Sequence, residues 1–256
     1  MTLLEQAARE NAEWCEAVAR SHGVRSRFTA DAWLASTRTP ASFPDAVTLR
    51  ASAGRGILRD IDASSGCSVK DSFAALDLSG DGFEVLFDAR WIFRAPEPER
   101  AGDAAARTST DGMVWSVLDP ADLGDWSALH SNVTSGDRNT GDRSTGDRDS
   151  GDRSTGDRGT FRPSILVEPG VVFLRADVEN SLVAGAVLSH TGAVVGISNV
   201  VTTQGIADDA LWRGLTDQVS GRFPGLAMVG YESGADLIAP LDAGFTELGD
   251  LRVWTR

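Results

Sequence analysis

Two cysteines, three histidines and one tyrosine in 256 residues leave few side chains for thiol, imidazole or phenol chemistry. Cys15 and Cys67 are too few and too far apart for a disulfide framework or a zinc site. No apolar run approaches the length that spans a bilayer, which argues against a membrane partner. Basic residues are also short, 24 Lys and Arg against 37 Asp and Glu, and the net charge of −13 disfavours a nucleic-acid partner. The N-terminus MTLLEQAARENAEW carries acids and no basic flank, so it does not read as a secretory signal, and a cytoplasmic protein is expected. What is present is ordinary globular composition, 41% hydrophobic, with length for a sizeable core in one large or two small domains.

The most informative stretch is the last third, from Ala193 to Arg256. Val194, Val195, Ile197, Val200 and Val201 form a β-branched apolar run, as a strand buried on both faces requires. Thr202, Thr203, Gln204 and Gly205 break it with a turn. Asp208 or Asp209 is placed to cap a helix over 208–222. Leu211, Leu215 and Val219 form its buried stripe, and Phe223-Pro224-Gly225 stops it. A strand at 227–232 and a second helix follow, and Ala243-Gly244-Phe245 opens a closing strand that ends near Trp254. A strand, a small-residue turn and a helix mouth make a site for an anion, because the first helical N–H groups point outward unpaired.

This order of elements, with SNVVTTQG before helix 208–222, AMVGYES, and Gly244-Phe245 before the last strand, resembles the second half of the GNAT superfamily. These are acyl-coenzyme A-dependent N-acyltransferases, and the resemblance covers roughly residues 112–256. It implies an α/β (α+β) fold with a mixed, mostly antiparallel central sheet flanked by helices. It implies acetyl-coenzyme A as co-substrate and an amine acceptor that the residues do not identify. Backbone N–H groups near Val200 and Val201 would serve the thioester carbonyl oxygen, and the turn of Gln204, Gly205, Ile206 and Ala207 would cradle the pyrophosphate.

Glu232 is the first choice for a base, at the end of strand 227–232 where that strand should part from its neighbour. Tyr231, the single tyrosine, falls on the opposite face by alternation, so only one of the two faces the slot. Ala207 stands where the family carries a second spaced glycine, and Pro240 to Ala243 include no tyrosine ahead of Gly-Phe. Two functions therefore stand: an N-acyltransferase, or a catalytically silent module that binds acyl-coenzyme A or a protein partner.

The N-terminal region, 1–106, starts with an amphipathic helix over 3–21 and has strand text at Ala46–Leu49, Phe83–Phe87 and Ala89–Phe93. GFEVLFDARWIFR (82–94) placed on GFTELGDLRVWTR (244–256) matches at Gly, Phe, Leu, Asp and both arginines, and upstream VKDS faces VGYES. Two readings stand: a shortened duplicate of the GNAT-like half, or two unrelated hairpins sharing a Gly-Phe turn. Residues 95–111 read as a linker, so the GNAT-like domain is placed at 112–256.

A strand at 113–119 and a helix from Pro120 to His130 open that domain. Within it, residues 135–159 repeat a Gly-Asp-Arg pentapeptide five times with no apolar side chain, as a disordered insert does. Asp77, Ser79, Asp81 and Asp88 imitate a calcium loop, but the strand text beyond Phe83 favours a plain turn, and no metal is expected. His22 and His130 at helix ends and His190 at a hairpin tip read as solvated side chains.

Overall fold

The computed structural model describes residues 1–96, 112–136 and 159–256. The linker expected at 95–111 and the repeat at 135–159 fall almost wholly outside these residues. Helix α1 (Leu3–Ser21) starts at a capping box in which Thr2 Oγ1 accepts from the Glu5 amide at 3.2 Å and Glu5 Oε2 accepts from the Thr2 amide at 2.8 Å. Five strands follow it: β1 (Ser26–Phe28), β2 (Ala32–Ala35), β3 (Ala46–Thr48), β4 (Ser68–Asp71) and β5 (Glu84–Arg94). Beyond residue 112 come β6 (Val114–Val117), helix α2 (Leu123–Gly136), β7 (Val171–Val178), β8 (Ser181–Ser189) and β9 (Val194–Thr202). Helix α3 (Asp208–Arg222), β10 (Ala227–Glu232), the short α4 (Ile238–Asp242) and β11 (Thr246–Thr255) complete the described chain.

The eleven strands of the described residues join one sheet in the order β1-β2-β3-β4-β11-β5-β10-β9-β8-β7-β6. Only β3–β4 and β9–β10 are parallel; every other pair is antiparallel. Alternation along β7 sends Phe173 into the core under α1 and α2, with Trp14, Val18, Trp126 and Val187. Its neighbour Leu174 goes to the opposite face, where Leu211, Leu215 and Val219 of α3 meet Val195, Ile197 and Met228. Helix α1 touches β1, β2 and β3 from one end of the sheet and β8, β9 and β10 from the other, so the sheet curls around it.

The sheet order is pseudo-symmetric about the β11–β5 pair, β4-β3-β2-β1 on one side answering β10-β9-β8-β7 on the other, with β6 left over at the edge. A parallel pair flanks β11–β5 on each side, and each half's last strand, β5 or β11, lies against the other half's parallel pair. Ala89 and Leu251 oppose each other at the centre of the β5–β11 ladder. On either side, Arg90 pairs with Asp250 and Arg252 with Asp88, so DAR (88–90) and DLR (250–252) form reciprocal ion pairs. Gly82 and Gly244 both take positive φ, 81° and 88°, and Phe83 and Phe245 after them are both buried. These are the residues that match in the sequence, now related by a pseudo-twofold axis.

Two expectations need correction. The strand text at Phe83–Phe87 and Ala89–Phe93 forms one continuous strand, β5 (Glu84–Arg94), rather than two, because Asp88 and Arg90 point to solvent on an uncovered face and do not interrupt pairing. His130 is not solvated: it is 5% exposed, packed between Trp126 and Phe161. At the calcium-like loop, Asp77 accepts from the Ser79 amide at 3.0 Å and Asp88 is committed to Arg252. Among the described residues no group of His, Cys, Asp and Glu is placed to hold a metal, and no helix is long and apolar enough to cross a membrane.

Candidate functional site

Strands β9 and β10 start side by side and then part. Their parallel ladder runs from Ala227↔Val194 to Val229↔Gly196. Beyond it β10 is held by β5, through Gly230↔Ile92, Tyr231↔Trp91 and Glu232↔Arg90, while β9 continues on β8. At the apex a Cβ on Gly230 would sit 3.1 Å from the Ile197 carbonyl oxygen, so glycine lets the two backbones approach before they separate. In β9 the register shifts between Val187↔Ser198 and Gly185↔Val201, leaving Asn199 and Val200 opposite Ala186 alone. Asn199 takes φ 53° at this bulge. Val200 and Val201, the expected carbonyl-oxygen site, follow it directly.

The end of β9 is tied to β8 by the Thr203 amide, which donates to Val183 O at 2.8 Å. Gln204 and Gly205 are exposed in the turn, Gly205 has φ 92°, and a Cβ there would meet nothing within 4 Å. Ile206 leans on the α3 core. Neither Asp208 nor Asp209 caps α3, because the N-cap is Ala207, which makes no side-chain cap bond. Asp209 instead turns along the helix to Arg213 at 2.6 Å. The first turn of α3 therefore has no side-chain cap and opens on a turn of small residues, an arrangement that suits a phosphate.

Alternation separates the two catalytic candidates as expected. Glu232 shares the α3–α4 face with Met228 and Gly230, whereas Tyr231 joins Val229 beneath α1. The Glu232 side chain keeps a little exposed area but is surrounded by enough protein to lose its hydration. That desolvation, reinforced by the charge of Asp236, pushes its carboxyl up to about 8. Ser233, three residues before Asp236, makes no side-chain cap bond. Tyr231 packs edge-on against Trp91, and its hydroxyl accepts from Lys70 Nζ at 3.0 Å, on the side away from β9.

Lys70, the only lysine in the chain, is 5% exposed and also donates to Asn11 Oδ1 of α1 at 2.9 Å. Lys70 and Tyr231 occupy matching places about the pseudo-twofold axis, because Lys70 faces Val253 of β11 as Tyr231 faces Trp91 of β5. Asn199 and Lys70 were not singled out by the sequence, and His130 was read there only as a solvated helix-end side chain. None carries a local motif, and each gains its partner from a distant element.

No protein-family model matches the chain, and no curated protein matches its sequence. Solved structures do match. A GCN5-related N-acetyltransferase from Kribbella flavida aligns over 100% of this chain and 96% of its own, with TM-score 0.59 and 14% identity. A putative acetyltransferase of the GNAT family from Novosphingobium aromaticivorans aligns over 95% and 96%, with TM-score 0.54 and 13% identity. The similarity therefore takes in the N-terminal strands as well as the parting pair and α3, and the chain has the fold of the GNAT N-acetyltransferases.

Proposed function

We propose that the chain is an acetyl-coenzyme A-dependent N-acyltransferase with Glu232 as general base. The observation that carries this reading is a carboxyl held near 8 at the end of β10, where that strand leaves β9. A base that deprotonates an ammonium near neutral pH works best with a pKa near the working pH, and an ordinary glutamate is too weak. The uncapped start of α3, the open turn at Gly205 and the glycine at the apex of the parting fit a thioester carrying a pyrophosphate. When bound, acetyl-coenzyme A supplies the acyl thioester.

The chain's own groups do the rest. Gln204, Gly205, Ile206 and Ala207 hold phosphate oxygens through backbone N–H groups. Val200, at the bulge, donates its N–H group to the carbonyl oxygen as negative charge builds on it, whereas Val201 is paired with Gly185 of β8. Glu232 takes the proton from the acceptor amine as the C–N bond forms and the C–S bond breaks. The test is thiol release from acetyl-coenzyme A across a panel of amines. Turnover should climb through pH 8 as Glu232 ionises, and Glu232→Gln should lower kcat by about 100-fold while leaving thioester binding intact.

A second reading, a silent module that binds acyl-coenzyme A or a protein partner, has its own support. The single tyrosine is turned to Lys70 and offers no proton to a departing thiolate. Thioester binding without thiol release from any amine would select it.

A further inference from the structure

Among the described residues, Asn199 is the one non-glycine residue that holds a positive φ inside a strand; Ser42, Ala74, Glu179 and Asn180 do so in turns or bends. Asparagine tolerates this conformation better than most residues, but in a strand something must hold it there. Helix α2 supplies that support with two side chains one turn apart. Trp126 is fully buried, donates from Nε1 to Leu174 O at 2.9 Å, and fills the space over Gly185, where a Cβ would lie 2.3 Å from its indole nitrogen. Gly185 is itself the β8 residue at which the bulge register resumes. His130 stacks on Trp126 with rings 5.8 Å apart and 10° from parallel, and meets Phe161 edge-on. Its Nε2 lies 3.0 Å from Asn199 Nδ2.

We infer that His130 is a positioning residue: it accepts a hydrogen bond from the Asn199 side-chain amide, fixes the β9 bulge, and so aims the Val200 N–H group into the gap between β9 and β10. The bond requires a neutral ring with its proton on Nδ1, and burial, which pushes the imidazole pKa down, favours the neutral ring. Trp126 sets the ring plane by stacking, and Gly185 admits Trp126. The set Gly185–Trp126–His130–Asn199 thus joins α2 to the strand expected to bind the thioester carbonyl. The catalytic part of this inference rests on the acyltransferase reading; the structural part does not.

The test compares His130→Leu with His130→Gln, whose amide oxygen can accept the same bond. In 15N-labelled full-length protein, H130L should displace the Val200 and Val201 amide resonances more than any amide of β10, and H130Q should restore them. In thiol-release assays H130L should lower kcat by about tenfold or more with KM for acetyl-coenzyme A little changed, because carbonyl alignment is lost and phosphate binding is not. Asn199→Gly, which adopts the bulge conformation without help, should keep the two amides near their native positions. Unmoved amides in H130L, or H130Q behaving as H130L does, would overturn the inference. Absence of thiol release in the native protein would remove the acyltransferase reading, while the amide shifts alone would still decide whether His130 holds the bulge.

Discussion

The two parallel strand pairs are built alike and finished differently. In β3–β4 the ladder covers Ala46↔Val69 and Val47↔Lys70, and side chains then close the pair. Thr48 Oγ1 accepts from the Ser72 amide at 2.8 Å and donates to Asp71 Oδ1 at 3.2 Å. Asp71, 1% exposed, also accepts from the Leu76 amide at 2.7 Å and the Phe73 amide at 3.3 Å. Past Thr48 the chain enters turns and a 3-10 helix at Arg55–Asp60, with no α-helix to offer a row of free amides.

In β9–β10 the strands part. The matching carboxylate, Glu232, faces Arg90 of β5 as Asp71 faces Arg252 of β11, yet burial and Asp236 hold it protonated up to about pH 8. One carboxylate is used to lock a pair of strands, and its counterpart is kept chemically available. The pseudo-symmetry thus supports one open slot rather than two.

Removing the lock should have the largest effect. Asp71→Ala strands two buried donors, the Thr48 hydroxyl and the Leu76 amide, and the half-buried Phe73 amide, and should cost about 3–4 kcal/mol in urea unfolding. Glu232→Gln should act in the opposite direction, and only at high pH. A carboxyl whose pKa is raised by folding contributes stability that is complete below its unfolded value near 4.5 and is lost as pH rises to about 8. The native protein should therefore weaken between pH 5 and pH 8.5 by about 2–3 kcal/mol more than E232Q, the full shift being discounted for partial exposure. An equal decline in both would show that Glu232 is well solvated.

Thr48→Val, similar in shape, leaves the Ser72 amide unpaired and should cost about 1–2 kcal/mol. Arg252→Ala and Arg90→Ala break the exposed reciprocal pairs at the axis and should each change stability by less than about 1 kcal/mol. A larger loss in either would mean the axis is held by charge rather than by the Ala89–Leu251 ladder.

Much of this architecture was legible because it is local or periodic. Helices 3–21 and 208–222 follow from apolar spacing and stop signals, and the strand ending at Glu232 follows from its apolar run. The opposite facing of Tyr231 and Glu232 follows from strand alternation. The internal match of 82–94 with 244–256 was visible as well, since Gly-Phe and the Asp-X-Arg triplets recur at one offset.

What was hidden depends on elements far apart in the chain. Thr48 and Asp71 meet only because β3 and β4 pair, and Lys70 reaches Tyr231 across two intervening strands. His130 looks like a helix-end histidine until α2 is seen lying on the β9 bulge. A protonated Glu232 is a property of its surroundings, which no spacing encodes.

The most direct test of the difference between the two pairs is a calorimetric titration of the full-length protein with coenzyme A. One molecule should bind per chain. Gly205→Val, which forces a β-branched residue to φ 92°, should abolish binding while leaving the far-ultraviolet spectrum native, and Thr48→Val should leave the stoichiometry at one. No heat from native protein at millimolar coenzyme A, or two molecules bound per chain, would contradict the account.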